Sequence, residues 1–597
     1  MSRPNKTYYS CDFETTNDPD DCRVWLWAAR DLDSDYKTHG TDIESFMEWA
    51  LNQTAQLSFH NLKFDGHFIL DYLERNGYEW KSPDQKKLGD KQYSTLISDM
   101  GMWYTITIGR KGMAQLKIVD SLKLLPFRVE QIAKDFHLPI LKGSIDYNKK
   151  RPKGWVPTQE EIEYINNDVD IVAMALKAMY DKGMRKLTIG SCALSNCRYD
   201  FGKNFTRYFP PPIEYDRDIR QGYRGGWTYC NPIFQGKEIG EGIVLDVNSL
   251  YPTQMASEKA ILPYGAGVWR KGEIVADKFY PIFIQHLSCQ FELKPGYLPM
   301  IQIKGDPRFK ATDYLTSSHG AIVDLCLTSV DLELFKEHYE IYNVTYHSGW
   351  KFKGKGGIFK RYVERWMKEK IEATKAGNYA QRVLSKLMLN SCYGKFATSP
   401  NADIRHPFLH DDAIKTTVES QKPKDLIYLP AGMFITAWAR YTTIRAAQKV
   451  FDRFLYGDTD SLHLIGTEIP PELEIDDTKL GAWDHESTFK RAKFLHAKCY
   501  IEDTYCKRVP KLDWKGEQEL GPDGEPLTEL KYTNQRTNET KLKVTVAGLP
   551  AACHDEVTWE NFGYGASYEG KLKPRVVPGG VVLENIPFEI KRGFIYE

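Results

Sequence analysis

The sequence predicts a multidomain α+β fold, and three observations carry that expectation. Its 597 residues are several times what one hydrophobic core serves, so three or more structural units are expected. Strand-like runs rich in aromatic and β-branched residues alternate irregularly with segments of helical periodicity. Apolar residues make up 42% of the chain and aromatics 13%, which supplies core material and excludes a disordered or fibrous protein. The 80 basic and 80 acidic residues cancel, so net charge alone gives no sign of a polyanionic partner. No run of eighteen apolar residues occurs, mean hydropathy is −0.49, and Met1–Ser10 is polar, so neither a membrane span nor a signal peptide is expected. The 11 cysteines include no Cys-x-x-Cys pair, which speaks against a zinc ribbon and for a reducing cytoplasm.

The first element is a strand over 7–16, TYYSCDFETT. Asp12 and Glu14 are two residues apart, so a strand points both to one side. Two carboxylates on a buried face need a positive neutraliser, and a divalent ion with its preference for hard oxygen suits them. Asn61 and Asp65 follow at i, i+4 ahead of an apolar helical run. Thr158-x-x-Glu161 is a capping box opening an amphipathic helix to Tyr180, with Tyr164 and Asp168 on one face. Asp12, Glu14, Asp65 and Asp168 are therefore expected to meet at a two-metal site suited to phosphodiester hydrolysis.

Further along, Glu241–Pro252 (EGIVLDVNSLYP) is an apolar strand holding Asp246 at its end. Asp458 and Asp460 lie in RFLYGDTDSLHL, at a Gly-containing bend between two short strands, where a hairpin tip is expected. Between these acids a helical hairpin spans roughly 359–395, with its turn at Lys375-Ala376-Gly377-Asn378. On the second helix Arg382, Lys386, Asn390 and Tyr393 are spaced 4, 4 and 3 and form one polar stripe, while Leu384, Leu387 and Met388 pack elsewhere. Residues 351–395 hold twelve Lys and Arg against three acids, 12 − 3 = +9, so the neutral total hides a basic stretch suited to phosphates. Gly354-Lys355-Gly356-Gly357 lacks the spacing of a Walker A loop, which disfavours an ATPase.

DFET, N-x-x-x-D and Y-x-x-x-D resemble the three motifs of DnaQ-like 3′–5′ exonucleases. DVNSLYP, KLMLNSCYGKF and YGDTD resemble motifs A, B and C of family B DNA polymerases. FHNLKFDG, YDRDIRQGYRGG, GMFITAWARYTT and HESTFKRAK extend the likeness over essentially the whole chain, specifically to protein-primed family B polymerases of the phi-29-like bacteriophage type. The resemblance implies an RNase H-like exonuclease domain at 1–188 joined to a right-hand polymerase. Its parts would be palm at 189–257 and 431–546, fingers at 362–398 and thumb at 547–597, the last bearing Lys571, Lys573 and Arg575. Two subfamily insertions, at 258–361 and 399–430, would contact a terminal protein and enclose DNA.

It also implies residue roles. Asp12, Glu14, Asp65 and Asp168 would ligate Mg²⁺, with Tyr164 orienting the attacking water and Lys142 steadying the scissile phosphate. Asp246, Asp460 and the Val247 carbonyl would ligate the polymerase ions, for which Mn²⁺ can substitute, with Asp458 an accessory acid. The incoming dNTP would meet Lys386, Arg382, Asn390, Tyr393 and Tyr251, the last excluding a ribose 2′-hydroxyl. Tyr223, Arg224, Gly225 and Gly226 would contact template, Lys498 and Tyr500 the primer end, and Ser249 the DNA. His60, Asn61, Phe64, Phe68, Ser121, Leu122 and Tyr147 would contact single-stranded DNA.

The implied protein is a monomeric, processive, strand-displacing polymerase with proofreading, acting in the cytoplasm of an infected bacterium on primed DNA or a terminal protein. Ser58 stands where the family has a tyrosine, Ser144 where it has an acid, and Gly457 where the phage enzyme has Cys. The polar segment 503–539 is expected to be a partly mobile hairpin. Two other readings compete: an exonuclease whose second half only binds DNA, and a non-enzymatic replication scaffold.

Overall fold

The computed structural model describes residues 6–147, 149–212, 214–421, 426–513 and 516–592. An eight-stranded sheet forms the amino-terminal unit, with Thr7–Thr15 near its centre. That strand pairs antiparallel with Val24–Asp31 and parallel with Ala55–Phe59, which in turn pairs parallel with Leu116–Asp120. Parallel pairing needs a crossover, and the helix Leu62–Arg75 begins directly after Ala55–Phe59. The 23-residue helix Gln159–Asp181 packs along Thr7–Thr15 and Val24–Asp31. Its expected capping box is present: Glu161 N–H donates to Thr158 Oγ1 at 3.3 Å and Thr158 N–H to Glu161 Oε2 at 3.0 Å.

A nine-stranded sheet forms the centre of the molecule. Gly242–Val247 runs antiparallel between Ser461–Ile465 and Trp483–His496, and Phe454–Asp458 pairs with Ser461–Ile465. The central strand is apolar on both faces because helix Leu429–Lys449 and the neighbouring cores cover it. The hairpin turn is Thr459-Asp460, with Thr459 at φ 62°, whereas Gly457 lies within the strand. The bend expected around the glycine is thus two residues further on. Segment 503–539, expected to be a partly mobile hairpin, extends the edge of this sheet in its described residues: Cys499–Pro510 pairs with both Thr528–Tyr532 and Glu539–Val546.

A four-stranded sheet follows the order Leu262–Lys271, Tyr339–Lys355, Ile282–Leu293, Val323–Thr328. It is tied to the centre by a buried ion pair. Asp331, 1% exposed, accepts from Arg440 at 2.7–3.1 Å, and Arg440 also donates to the carbonyls of Arg224 and Gly225. The helical hairpin is Lys360–Lys375 and Tyr379–Ser391, broken at Ala376-Gly377-Asn378 as the sequence predicts. The divisions expected at 361/362 and 430/431 fall inside the first turns of Lys360–Lys375 and Leu429–Lys449.

Two further hairpins, Ile404–His410 with Ala413–Glu419 and Ser567–Val577 with Gly580–Glu589, lie against the amino-terminal unit. Asn17 exchanges two hydrogen bonds with the backbone of Leu583, at 2.6 and 2.9 Å, and Gly579 N–H donates to Asp71. A Cβ at Gly579 would lie 2.3 Å from the Cys22 carbonyl, and one at Gly580 the same distance from the Phe68 ring, so this seat requires glycines. No helix among the described residues is long and apolar enough to cross a membrane.

Candidate active sites

In the amino-terminal unit, strand geometry turns Asp12 and Glu14 inward towards Asp168 on the long helix and Asp65 in the first turn of Leu62–Arg75. Burial pushes the Asp12 carboxyl up to about 7, with Asp168 adding to the shift and Lys142 opposing it. Burial likewise raises Glu14, reinforced by Asp12 and Asp168, and raises Asp65, reinforced by Asp12. Lys142 holds Asp168 by an ion pair, and its ammonium lies 5.3 Å from the Tyr164 ring centroid. Tyr164 and Tyr147 share a 2.6 Å hydrogen bond between their hydroxyls. A cavity of about 130 Å³ opens between Asp12, His60, Lys142 and Asp168.

In the central sheet, Asp246 sits across from Ser461 on one side and Asp484 on the other. Burial lifts its carboxyl to about 8, helped by Asp460, Glu486 and Asp484 and opposed by Lys386. Asp460 is raised by burial and by Asp458 and Glu486. Its carbonyl accepts from Val247 N–H at 2.8 Å, which locks the hairpin turn to the strand bearing Asp246. Asp458 accepts from Thr228 Oγ1 at 2.9 Å, Tyr456 OH at 3.1 Å and Lys498 Nζ at 3.0 Å.

Both clusters consist of hard oxygen donors with excess negative charge, a donor set that suits a divalent cation. One buried oxygen, Asp168 Oδ1, has no hydrogen-bond partner. Among the described residues no three acidic, His or Cys side chains are gathered closely enough to hold an ion as they stand. The expected convergence is therefore electrostatic rather than a finished ligand set. Asp458 is already engaged by Lys498, which suits an accessory position.

The family model described as DNA polymerase type B, organellar and viral, matches residues 49–478. The DNA polymerase of Bacillus phage phi29 is 47% identical across 99% of this chain and all of its own. The DNA polymerase of Streptococcus phage Cp-1 is 32% identical, with 98% of each chain covered. The chain belongs to the phi29-like, protein-primed family B DNA polymerases. A solved structure of phi29 DNA polymerase with primer-template DNA and incoming nucleotides shares the fold, with TM-score 0.89 and 46% identity over 98% of this polymerase and all of that chain.

Other expected residues of this polymerase are placed unevenly. Arg382, Lys386 and Asn390 are exposed along one side of Tyr379–Ser391, with Leu384 and Met388 buried behind them. Ser249 caps Leu250–Ala256 in the left-handed region at φ 58°, and the following turn lays Tyr251 against Tyr393. Gly226 is required where its loop crosses the Asp458–Asp460 hairpin, since a Cβ there would lie 2.5 Å from Thr459 Oγ1. Tyr223 is half-buried and Gly225 exposed, but the Arg224 guanidinium donates to the carbonyls of Gly222, Cys326 and Gln302 and is spent inside the protein. Lys498 is exposed, while Tyr500 is buried against Tyr456 and Phe494.

Of the single-strand residues, Asn61 and Tyr147 are exposed, and His60, Phe64 and Leu122 are half-buried. Phe68 and Ser121 are 2% and 1% exposed and do not face solvent here. Phe68 packs in the core beneath Gly580, and Ser121 Oγ bonds His60 and the Phe59 carbonyl. Sequence reasoning missed Asp484 and Glu486 beside Asp246, although their i, i+2 spacing is the signal that flagged Asp12 and Glu14. It also missed Thr228, which holds Asp458, and Thr443, whose hydroxyl donates to the Thr459 carbonyl at 2.6 Å.

Proposed function

We propose that this polymerase extends a primer 3′-hydroxyl, or a terminal-protein hydroxyl, with dNTPs at the central cluster and removes mismatched ends at the amino-terminal one. The observation that carries the reading is the locked junction of Asp246 with the Asp458–Asp460 hairpin, with Lys386 of the exposed stripe Arg382, Lys386 and Asn390 acting electrostatically on Asp246. Asp246, Asp460 and the Val247 carbonyl would hold two Mg²⁺ ions there, and Asp12, Glu14, Asp65 and Asp168 two more. When bound, such ions supply charge neutralisation and lower the pKa of the attacking hydroxyl or water.

The chain's own groups do the positioning. Lys386 and Arg382 meet the triphosphate, Tyr251 and Tyr393 form a wall beside the sugar and nascent pair, and Lys498 steadies the primer end. Ser249, Tyr223, Gly225 and Gly226 line the template path. At the other site Tyr164 orients a water and Lys142 shifts from Asp168 towards a phosphate. Divisions at 188, 257, 361, 398, 430 and 546 would separate exonuclease, palm, first insertion, fingers, second insertion, second palm part and thumb. The two insertions would receive the terminal protein and enclose DNA, giving processive strand displacement by a monomer in an infected bacterial host.

Magnesium-dependent extension of a primed template through a downstream duplex tests synthesis and displacement together. Absence of incorporation rejects the polymerase assignment of these acids. Protein priming is tested with the cognate terminal protein, dATP and Mg²⁺; no covalent protein–nucleotide adduct would leave a polymerase that uses ordinary primers.

A further inference from the structure

Arg151 and Glu161 form an ion pair inside the amino-terminal unit, 5% and 4% exposed, with Nε to Oε1 at 3.0 Å. Burying two charges costs several kcal/mol each before their attraction is counted, and apolar residues would anchor a helix end with less loss. The pair therefore calls for an explanation beyond stability. The guanidinium supplies it, because each of its nitrogens has a separate task. Nε donates to Glu161, Nη1 to the Lys149 carbonyl at 3.1 Å and Nη2 to the Asp146 carbonyl at 3.0 Å. Its flat face lies 4.2 Å from the centroid of Trp25, itself 1% exposed on the strand paired with the one bearing Glu14. Glu161 is used as fully: Oε2 accepts from Trp155 Nε1 and from Thr158 N–H, both at 3.0 Å.

The two ends of this pair lead to the two tyrosines at the acidic cluster. Asp146, held by Arg151, immediately precedes Tyr147; Glu161 lies one helical turn before Tyr164. The Tyr147 and Tyr164 hydroxyls meet at 2.6 Å, although Tyr147 is otherwise 60% exposed on its loop. We infer that Arg151 and Glu161 are positioning residues for hydrolysis at this site, clamping loop residues 142–147 and 149–157 to the helix so that Tyr147 is held against Tyr164. The inference rests on the degradative reading of the acidic cluster. A lysine at 151 would keep the charge but lose the planar fork, so charge alone does not fulfil the role.

The test is Mg²⁺-dependent digestion of a single-stranded oligonucleotide by the full chain. Arg151→Ala and Arg151→Lys should each lower kcat at least about tenfold, which is about 1.4 kcal/mol. KM should stay within about twofold, and primer extension should be unchanged. Tyr147→Phe should lower kcat as well, and adding Arg151→Ala to it should cost little more, because both changes remove one interaction. Glu161→Gln, which keeps the volume, carries the test if Arg151→Ala does not fold. Unchanged digestion by these variants, full rescue by lysine, or losses that multiply with Tyr147→Phe would overturn the inference. Equal digestion by the wild type and by Asp12→Ala/Glu14→Ala would overturn the reading of the cluster and the inference with it.

Discussion

The rings of Tyr251 and Tyr393 lie stacked, 4.1 Å between centroids and 19° between planes, joining the helix Leu250–Ala256 to the short helix Tyr393–Phe396 that follows the helical hairpin. Such a pair contributes about 0.5–1.5 kcal/mol beyond buried area and fixes both rings. Tyr251→Val should therefore reduce discrimination against ribonucleotides by at least about tenfold, or about 1.4 kcal/mol, and raise KM for dNTPs. Single-nucleotide incorporation kinetics with dNTP and rNTP measure this. Unchanged discrimination would remove Tyr251 from sugar selection.

The two acidic clusters should fail independently. Asp12→Ala/Glu14→Ala should abolish degradation of single strands and leave extension largely intact. Asp458→Asn and Asp460→Asn should do the reverse, lowering incorporation by about 10²–10³ or more, the scale of losing a charge-stabilising group. Parallel gels on one labelled primer report both activities. Loss of both activities in either variant would contradict separate sites.

The raised carboxyls fix the sign of a pH dependence. Asp246 holds its proton to about 8 and Asp12 to about 7 when folded, against an ordinary value of 3.8. Between these limits the unfolded chain binds fewer protons, so metal-free stability falls as pH rises from about 4 to about 8 and then levels. Thermal unfolding in EDTA should show the midpoint declining across that window. Asp246→Asn should flatten the decline, and Mg²⁺ should restore the midpoint most at pH 8. A midpoint that rises through the same window would show that other groups dominate.

Asp331→Ala should lower the stability of the central region by about 3–5 kcal/mol, because it leaves Arg440 buried with only backbone acceptors. Denaturant titration followed by tryptophan fluorescence measures the loss. A change below about 1 kcal/mol would mean that solvent reaches the site.

What was legible in the sequence was local. The i, i+2 acids, the Arg382–Lys386–Asn390 stripe and the Thr158–Glu161 cap each follow from one element's periodicity and occupy the expected face. Tyr393, expected on the same stripe, instead opens a separate short helix because the second helix ends at Ser391. The hairpin with Asp458 and Asp460 at its tip was legible too, but the glycine's part in it was not: Gly457 suggests a bend, yet it lies in the strand and the left-handed residue is Thr459. Arg224 and Phe68 show the opposite limit. Their types suit DNA contact, but the partners that absorb them, Cys326 and Gln302 for one and Gly580 for the other, lie about a hundred or several hundred residues away. No local pattern encodes such encounters. Thr228 escaped for the same reason, since its partner Asp458 is 230 residues distant.

The clasp between Asn17 and Leu583 gives the molecule an order in time. The two residues stand 566 apart in the chain. At a synthesis rate of about 5–20 residues per second, roughly half a minute to two minutes separate their emergence from the ribosome. The amino-terminal sheet can thus form early, yet its seat for this hairpin stays bare until Leu583 has been made. A chain released before that point would carry both acidic clusters without the clasp.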